Sequence, residues 1–318
     1  MEIEVQANPS ALTLGPVLFS WQPEAWRDFY LRIADEAPVE TVYLGEVVCL
    51  KRAPLFDSYL GDVITRLKAA GKTVVRSTLA EVMSKQERKM VEDLCADDGV
   101  VVEANDGSAL YYLRGRPHYA GPFINVYNER SVAVLARDGV TNVCLPPEMP
   151  AAAILALCPQ AASLGVNLEV MVFGRVPLAL SARCYHARAH GRTKDTCQFI
   201  CNTDPDGMTL RTFEYQPFLT VNGIQTMSHD YLNLIGELPN LQDMGVARFR
   251  LSPRKTGCCA SRSCGWGVYA SMTYGRAGAA VARSRAAARR CPCAAPPGRS
   301  PQIHPSIAVS ARLSPAIS

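Results

Sequence analysis

Thr41-Val42-Tyr43-Leu44-Gly45-Glu46-Val47-Val48 is a short apolar run rich in β-branched residues. Residues 55–70 follow it with apolar side chains at Leu60, Val63, Ile64 and Leu67, one face of a helix, and Gly71 supplies a stop. Thr73-Val74-Val75-Arg76-Ser77 then repeats the strand pattern. Two buried strands bracketing an amphipathic helix form a parallel β-α-β unit, since parallel neighbours need a crossover. The fold is decided by how often this unit recurs.

It recurs along most of the chain. Strand-like runs lie at residues 17–21, 41–48, 73–77, 100–103, 123–127, 142–145, 168–173 and 247–251. Helical patterns occupy 26–37, 55–70, 84–95, 131–137 and 151–164. Eight strands alternating with helices predict an α/β fold, a (β/α)8 TIM-barrel-like architecture. A doubly wound open sheet is the alternative, because periodicity does not show closure.

The 318 residues divide into two regions by composition. Residues 1–253 hold 23 basic and 29 acidic residues, a net charge of −6. That excludes nonspecific nucleic-acid binding, which needs cationic contacts to phosphates. Residues 254–318 hold ten basic and no acidic residues and are dominated by Ala, Arg, Ser, Pro, Gly and Cys. This tail reads as disordered, or as a GC-rich gene translated in a shifted frame; a basic nucleic-acid arm is the alternative. The helix expected to close the barrel after residue 251 is then missing or altered. The acidic start Met1-Glu2-Ile3-Glu4 is unlike a secretory signal, and no run reaches the roughly 20 apolar residues of a membrane span. A cytoplasmic location is expected, where cysteines serve metal or redox chemistry before disulfides.

Seven cysteines precede the tail. Cys95, Cys144 and Cys158 sit in apolar runs and read as small core hydrophobes. Cys184, Cys197 and Cys201 instead form a C-x12-C-x3-C pattern in a polar, basic stretch. Cys49 directly follows the strand at 41–48, and the triplet follows the strand at 168–173, so all four lie beyond strand C-termini, the face on which barrels assemble sites. Neighbouring Arg and Lys are expected to lower the thiol pKa values. Four thiolates suit an iron–sulfur cluster or zinc, and the uneven spacing favours the former without excluding the latter. His186 and His190, four apart, read as exposed polar residues beside this loop, with zinc ligands on one helix face as the alternative. Glu46, Lys51 and Arg52 read as ligand-touching or simply solvated. H-E-x-x-H, G-x-S-x-G and P-loop motifs are absent, and the sequence names no catalytic residue.

Leu14-Gly15-Pro16-Val17-Leu18, Tyr43-Leu44-Gly45-Glu46-Val47-Val48-Cys49, Leu178-Ala179-Leu180-Ser181-Ala182-Arg183-Cys184 and Asn222-Gly223-Ile224-Gln225-Thr226-Met227-Ser228 occur in collinear order. Together they resemble the collagenase-like peptidase (U32) family, in its members devoted to oxygen-independent ubiquinone biosynthesis. The resemblance runs from about residue 14 to 253 and implies a barrel-like fold and a 4Fe–4S cluster on Cys49, Cys184, Cys197 and Cys201. It also implies hydroxylation of ubiquinone precursors, with prephenate as the proposed hydroxyl donor. The implied partners are the sister protein UbiU, in a heterodimer, and a lipid-carrier protein of the pathway. The tail departs from the resemblance, which ends at Arg250-Leu251-Ser252-Pro253. A peptidase of the same family and a structural zinc protein are the competing functions.

Overall fold

The computed structural model describes residues 10–255. Its elements are β1 (Ala11–Leu14), α1 (Pro23–Glu36), β2 (Thr41–Leu44), α2 (Asp57–Ala69), β3 (Thr73–Ser77), α3 (Lys85–Cys95), β4 (Val101–Ala104), α4 (Gly107–Leu113), β5 (His118–Ala120), α5 (Glu129–Arg137), β6 (Val140–Cys144) and α6 (Ala151–Ser163). They continue with β7 (Asn167–Leu180), α7 (Tyr185–Ala189), β8 (Met208–Arg211), β9 (Pro217–Asn222), β10 (Gln225–Asn233), α8 (Leu238–Asp243) and β11 (Arg248–Leu251). The tail and any closing helix lie outside the described residues. Among the described residues, no helix is long and apolar enough to cross a membrane.

Strands β1 to β7 pair in parallel in chain order, and β11 pairs in parallel with both β1 and β7. The sheet therefore closes into an eight-stranded parallel barrel, and the open-sheet alternative falls. Local chemistry supports each crossover. Helix α1 starts with Pro23 in its first turn and buries Trp26, Phe29, Tyr30 and Ile33. Ser84 and Glu87 close a capping box at the start of α3.

Two expected strands are misplaced. Residues 17–21 are a buried loop after β1, and 123–127 follow β5 through a 3₁₀ turn. Pro16 and Pro122 lack the N–H a ladder needs, so each apolar run is displaced past the strand proper. Burial without a ladder mimics the strand pattern, which registers apolarity and not pairing. The first and last barrel strands are covered by other elements. Leu12, Leu14, Phe249 and Leu251 are all buried, in one core cluster with Ile33, Leu238 and Leu241.

Between β7 and β11 the chain makes an excursion the sequence does not announce. Strand β7 runs on past its last partner in β11, Leu251 opposite Phe173, and its overhang pairs antiparallel with β10. Strands β9 and β8 add to β10, giving a three-stranded extension at the C-terminal rim of the barrel. The loop before this extension carries Cys184, Cys197 and Cys201, three of the four candidate cysteines.

Gly45 shows how tightly that rim is built. Its φ is +141°, and a Cβ there would lie 2.4 Å from the Ser77 carbonyl oxygen. Gly45→Ala is expected to cost about 3 kcal/mol, combining backbone strain with steric overlap. A thermal melt of the variant should shift down by several degrees; an unchanged melt would contradict this packing.

Candidate metal centre

The four sequence-predicted cysteines all lie beyond strand ends on the C-terminal rim. Cys49 follows β2, Cys184 caps the start of α7 after β7, and Cys197 and Cys201 flank a tight loop. All four are half-buried, whereas Cys95, Cys144 and Cys158 are fully buried in the core as expected. Between Cys197 and Cys201 the backbone is forced into the left-handed region twice in succession, at Gln198 (φ 49°) and Phe199 (φ 52°). Two such residues in a row are costly and persist only where the surroundings hold them.

Arg52 is the hub of this neighbourhood. It is 1% exposed, against the expectation of a solvated side chain. It donates to the Leu18 carbonyl at 3.0 Å and to Asn222 Oδ1 at 3.1 Å, and it hydrogen-bonds Cys201 while acting electrostatically on Cys49 and Glu46. Asn222 in turn donates to the Leu18 carbonyl at 2.7 Å. The two-residue hairpin loop Gly223-Ile224 sits on Arg52, and a Cβ on Gly223 (φ +62°) would lie 2.9 Å from its guanidinium. Helix α7 docks on that loop through His186 N–H to the Gly223 carbonyl, and Ser181 N–H reaches the Ile224 carbonyl at 3.0 Å. One buried cation thus ties together the loops after β1 and β2, the β9–β10 hairpin and the cysteine loop. Arg52→Met is expected to cost about 3 kcal/mol by orphaning buried acceptors and leaving Glu46 without its counter-charge. Arg52→Lys should recover only part of that, because an ammonium lacks the planar fork. Equal melts for wild type and both variants would remove Arg52 from this role.

The remaining polar residues are structural props. Glu46 folds back to accept from the Val48 and Cys49 N–H groups at 2.8 and 2.9 Å, shaping the turn that presents Cys49. Lys51 donates to the Lys194 carbonyl at 2.7 Å and the Asp195 carbonyl at 3.2 Å, while Lys194 pairs with Glu87 of α3 at 3.1 Å. These contacts strap the long cysteine loop to the barrel. His186, expected to be exposed, is fully buried with Nε2 2.9 Å from Asp204. A helix only five residues long buries that side chain, whose ring stacks on His190 at 5.6 Å. His190 is exposed and its Nδ1 lies 3.0 Å from the His186 carbonyl.

Burial pushes the thiol pKa values of Cys49 and Cys184 up, although Arg52 opposes it at Cys49 and the Ala187 N–H opposes it at Cys184. This reverses the expected lowering, because desolvation outweighs the nearby positive charge. Such thiols ionise when a cation takes the proton's place. Among the described residues, no three Cys, His, Asp or Glu side chains converge closely enough to hold a metal as they stand. The four thiols share a neighbourhood, Cys184 feeling both Cys197 and Cys201 and Arg52 feeling both Cys49 and Cys201. The donor set and its buried cation fit a thiolate-held group.

A second polar cluster lies inside the barrel and escapes the motif search. Arg250 NH2 bridges Glu103 Oε1 at 2.6 Å and Glu169 Oε2 at 2.8 Å, all three buried. Glu169 also accepts from Thr13, from Tyr43 OH at 2.8 Å and from Asn142 Nδ2 at 3.0 Å. Glu103 accepts from Ser77 Oγ at 2.7 Å and Asn105 Nδ2 at 3.2 Å. Barrel interiors are mostly layers of branched apolar residues. A carboxylate inside an otherwise apolar strand, as in Val101-Val102-Glu103-Ala104, is the signal that would have found it.

The family model described as Peptidase family U32 matches residues 22–260, three quarters of the chain. The chain belongs to peptidase family U32. All four candidate cysteines, Arg52, Glu103, Glu169 and Arg250 fall within the U32 span. Among solved structures, the chain is similar to a protein described as a fructose-1,6-biphosphate aldolase from Coccidioides immitis, at 11% identity over 88% of this chain and 87% of that one, TM-score 0.40. It is also similar to tryptophan synthase from Pyrococcus furiosus, at 12% identity over 88% and 96%, TM-score 0.40. A third is a dihydrodipicolinate synthase family protein from Coccidioides immitis, at 10% identity over 90% and 80%, TM-score 0.38.

Proposed function

We propose that this U32 chain is the iron–sulfur subunit of an oxygen-independent hydroxylase acting on ubiquinone precursors, the role of UbiV in partnership with UbiU. The observation that supports the proposal is that Cys49, Cys184, Cys197 and Cys201 are half-buried in loops on the same barrel rim, with the buried Arg52 acting on Cys49, Cys184 and Cys201. The motif resemblance around Gly45–Cys49, Leu178–Cys184 and Asn222–Ser228 adds the choice of branch within the family.

Cys49, Cys184, Cys197 and Cys201 would hold a 4Fe–4S cluster, which supplies one-electron transfer when bound. With four cysteine ligands no iron site is left open, so the chain's role is electron delivery rather than substrate ligation at iron. Arg52 offsets thiolate charge and Lys51 holds the loop closed. Trp21 Nε1 donates to the Pro205 carbonyl at 2.8 Å and keeps the segment after Cys201 against the loop following β1.

The test is iron, sulfide and zinc content with a visible spectrum on anaerobically purified full chain. About four irons with matching sulfide support the proposal. Zinc in place of iron would transfer the site to the structural-zinc reading. Hydroxylation in a reconstituted mixture with UbiU, lost when this chain is omitted, supports the pathway assignment; hydroxylation without this chain would overturn it.

A further inference from the structure

Reducing a centre held by Cys49, Cys184, Cys197 and Cys201 adds one negative charge to it, so the charges around it decide how readily it takes an electron. A buried cation favours the reduced form and a buried anion disfavours it. Each acts more strongly than an exposed charge, because little water screens it.

Arg52 is the cation placed to act in this way. It is buried, and its backbone N–H bonds the Cys49 carbonyl at 2.9 Å, one tight turn beyond that cysteine. Its guanidinium is held by the Leu18 carbonyl and Asn222 and hydrogen-bonds Cys201. The close approach of Gly223 leaves it no room to swing toward the hairpin. The Nε–H is buried and has no hydrogen-bond partner among the described residues. An unpaired buried donor is costly, and a thiolate or sulfide is an acceptor that relieves it. Hydrogen bonds to ligand sulfur shift the potential of such a centre.

The other charges of the cysteine loop are placed less effectively. Lys51 faces Asp195 at 3.9 Å and Lys194 faces Glu87 at 3.1 Å, and both lysines are partly exposed. Asp204 is engaged by His186. Glu46 is the opposing charge: it is buried and, like Arg52, acts electrostatically on Cys49, with the opposite sign.

We propose that Arg52 sets the reduction potential of the centre held by these four cysteines, raising it through a buried positive charge and a hydrogen bond to ligand sulfur. This rests on the proposed iron–sulfur function. The electron comes from a low-potential one-electron donor, dithionite in the test, and no bond is made or broken at Arg52.

The test is an anaerobic redox titration of the full chain followed by electron paramagnetic resonance, with iron counted on every sample. Arg52→Met should lower the one-electron equilibrium constant about tenfold, which is about 59 mV. Arg52→Lys, which keeps the charge without the fork, should fall between it and wild type. Glu46→Gln still accepts from the Val48 and Cys49 N–H groups and should move the potential the other way. A merely structural Arg52 would cost iron or stability without shifts of opposite sign. A second measurement needs no substitution. Pulsed resonance of the reduced wild-type chain, grown on nitrogen-15 arginine, should show coupling to nitrogen-15, and Arg52→Lys should lose it. This decides the matter where Arg52→Met holds no iron. An unchanged potential in four-iron Arg52→Met, shifts of one sign in Arg52→Met and Glu46→Gln, or no arginine coupling would overturn the inference. With four irons in wild type, any of these sinks the role of Arg52 alone. An iron-free wild type sinks the proposed function, and this inference with it.

Discussion

Replacing Arg250 by Met is expected to destabilise the barrel by about 3–5 kcal/mol, the cost of stranding buried charges whose partner is removed. Arg250 NH2 is the shared counter-ion of Glu103 and Glu169, and its guanidinium lies 4.0 Å from the centre of the Tyr43 ring. Met preserves much of the volume, so the loss measures charge and not a cavity. If stranded carboxylates are the cause, adding Glu103→Gln and Glu169→Gln to Arg250→Met should recover part of the stability. Urea unfolding of the full chain at neutral pH reads both effects. A loss under about 1 kcal/mol would place Arg250 among ordinary surface-like ion pairs.

The same cluster sets the acid side of the stability profile. Burial pushes the Glu169 carboxyl up, but Arg250 and the hydrogen bonds from Thr13 and Tyr43 outweigh it and hold its pKa below the ordinary 4.5. The unfolded chain therefore binds this proton more readily than the folded one. The stabilisation is fully present above about pH 4.5 and is lost as pH falls through the folded value. Without Arg250 the slope from this group should reverse, because a stranded buried carboxylate is relieved by protonation. Urea midpoints measured from pH 7 down to about pH 2 check the sign.

The second large effect is expected at the cysteines. If the proposed cluster is present, Cys197→Ala should lower the iron content well below about four per chain, and Cys49→Ala, Cys184→Ala and Cys201→Ala should do the same, because each removes one of four thiolate ligands. Cys95→Ala and Cys158→Ala serve as controls; both are buried helix residues outside the site, and their iron content should match wild type. Retained iron in Cys197→Ala would remove Cys197 from the ligand set. Parallel loss in the controls would make the effect one of folding. Cys197 is the most informative position because it sits on the loop strapped by Lys51 and Arg192, the latter donating to the Cys197 carbonyl at 3.0 Å. That loop gains most from a cross-link to the barrel.

The barrel was legible because its signal is local and repeated. Each β-α-β unit declares itself through apolar period and stop residues, as at residues 41–77, and eight repeats leave few architectures. Cys184, Cys197 and Cys201 stood out as candidates because a polar, basic stretch has no packing use for thiols, and Cys49 because it follows a strand end. Other features depend on residues brought together from afar. Arg52 looked solvated because its partners, Leu18 and Asn222, lie 34 and 170 positions away. His186 looked exposed because nothing in its own helix announces Asp204 or the hairpin beneath it. The Cys49 and Cys184 thiol shifts took the opposite sign because burial, a property of the folded whole, outweighs charges that can be counted along the chain. The sequence by itself determined the repeat and its barrel class and singled out the candidate thiols, since these follow from short-range periodicity and residue chemistry. Only the tertiary structure decided closure through β11, the rim extension, the Arg250 cluster and the burial of Arg52, since each is a contact between segments that no local pattern couples.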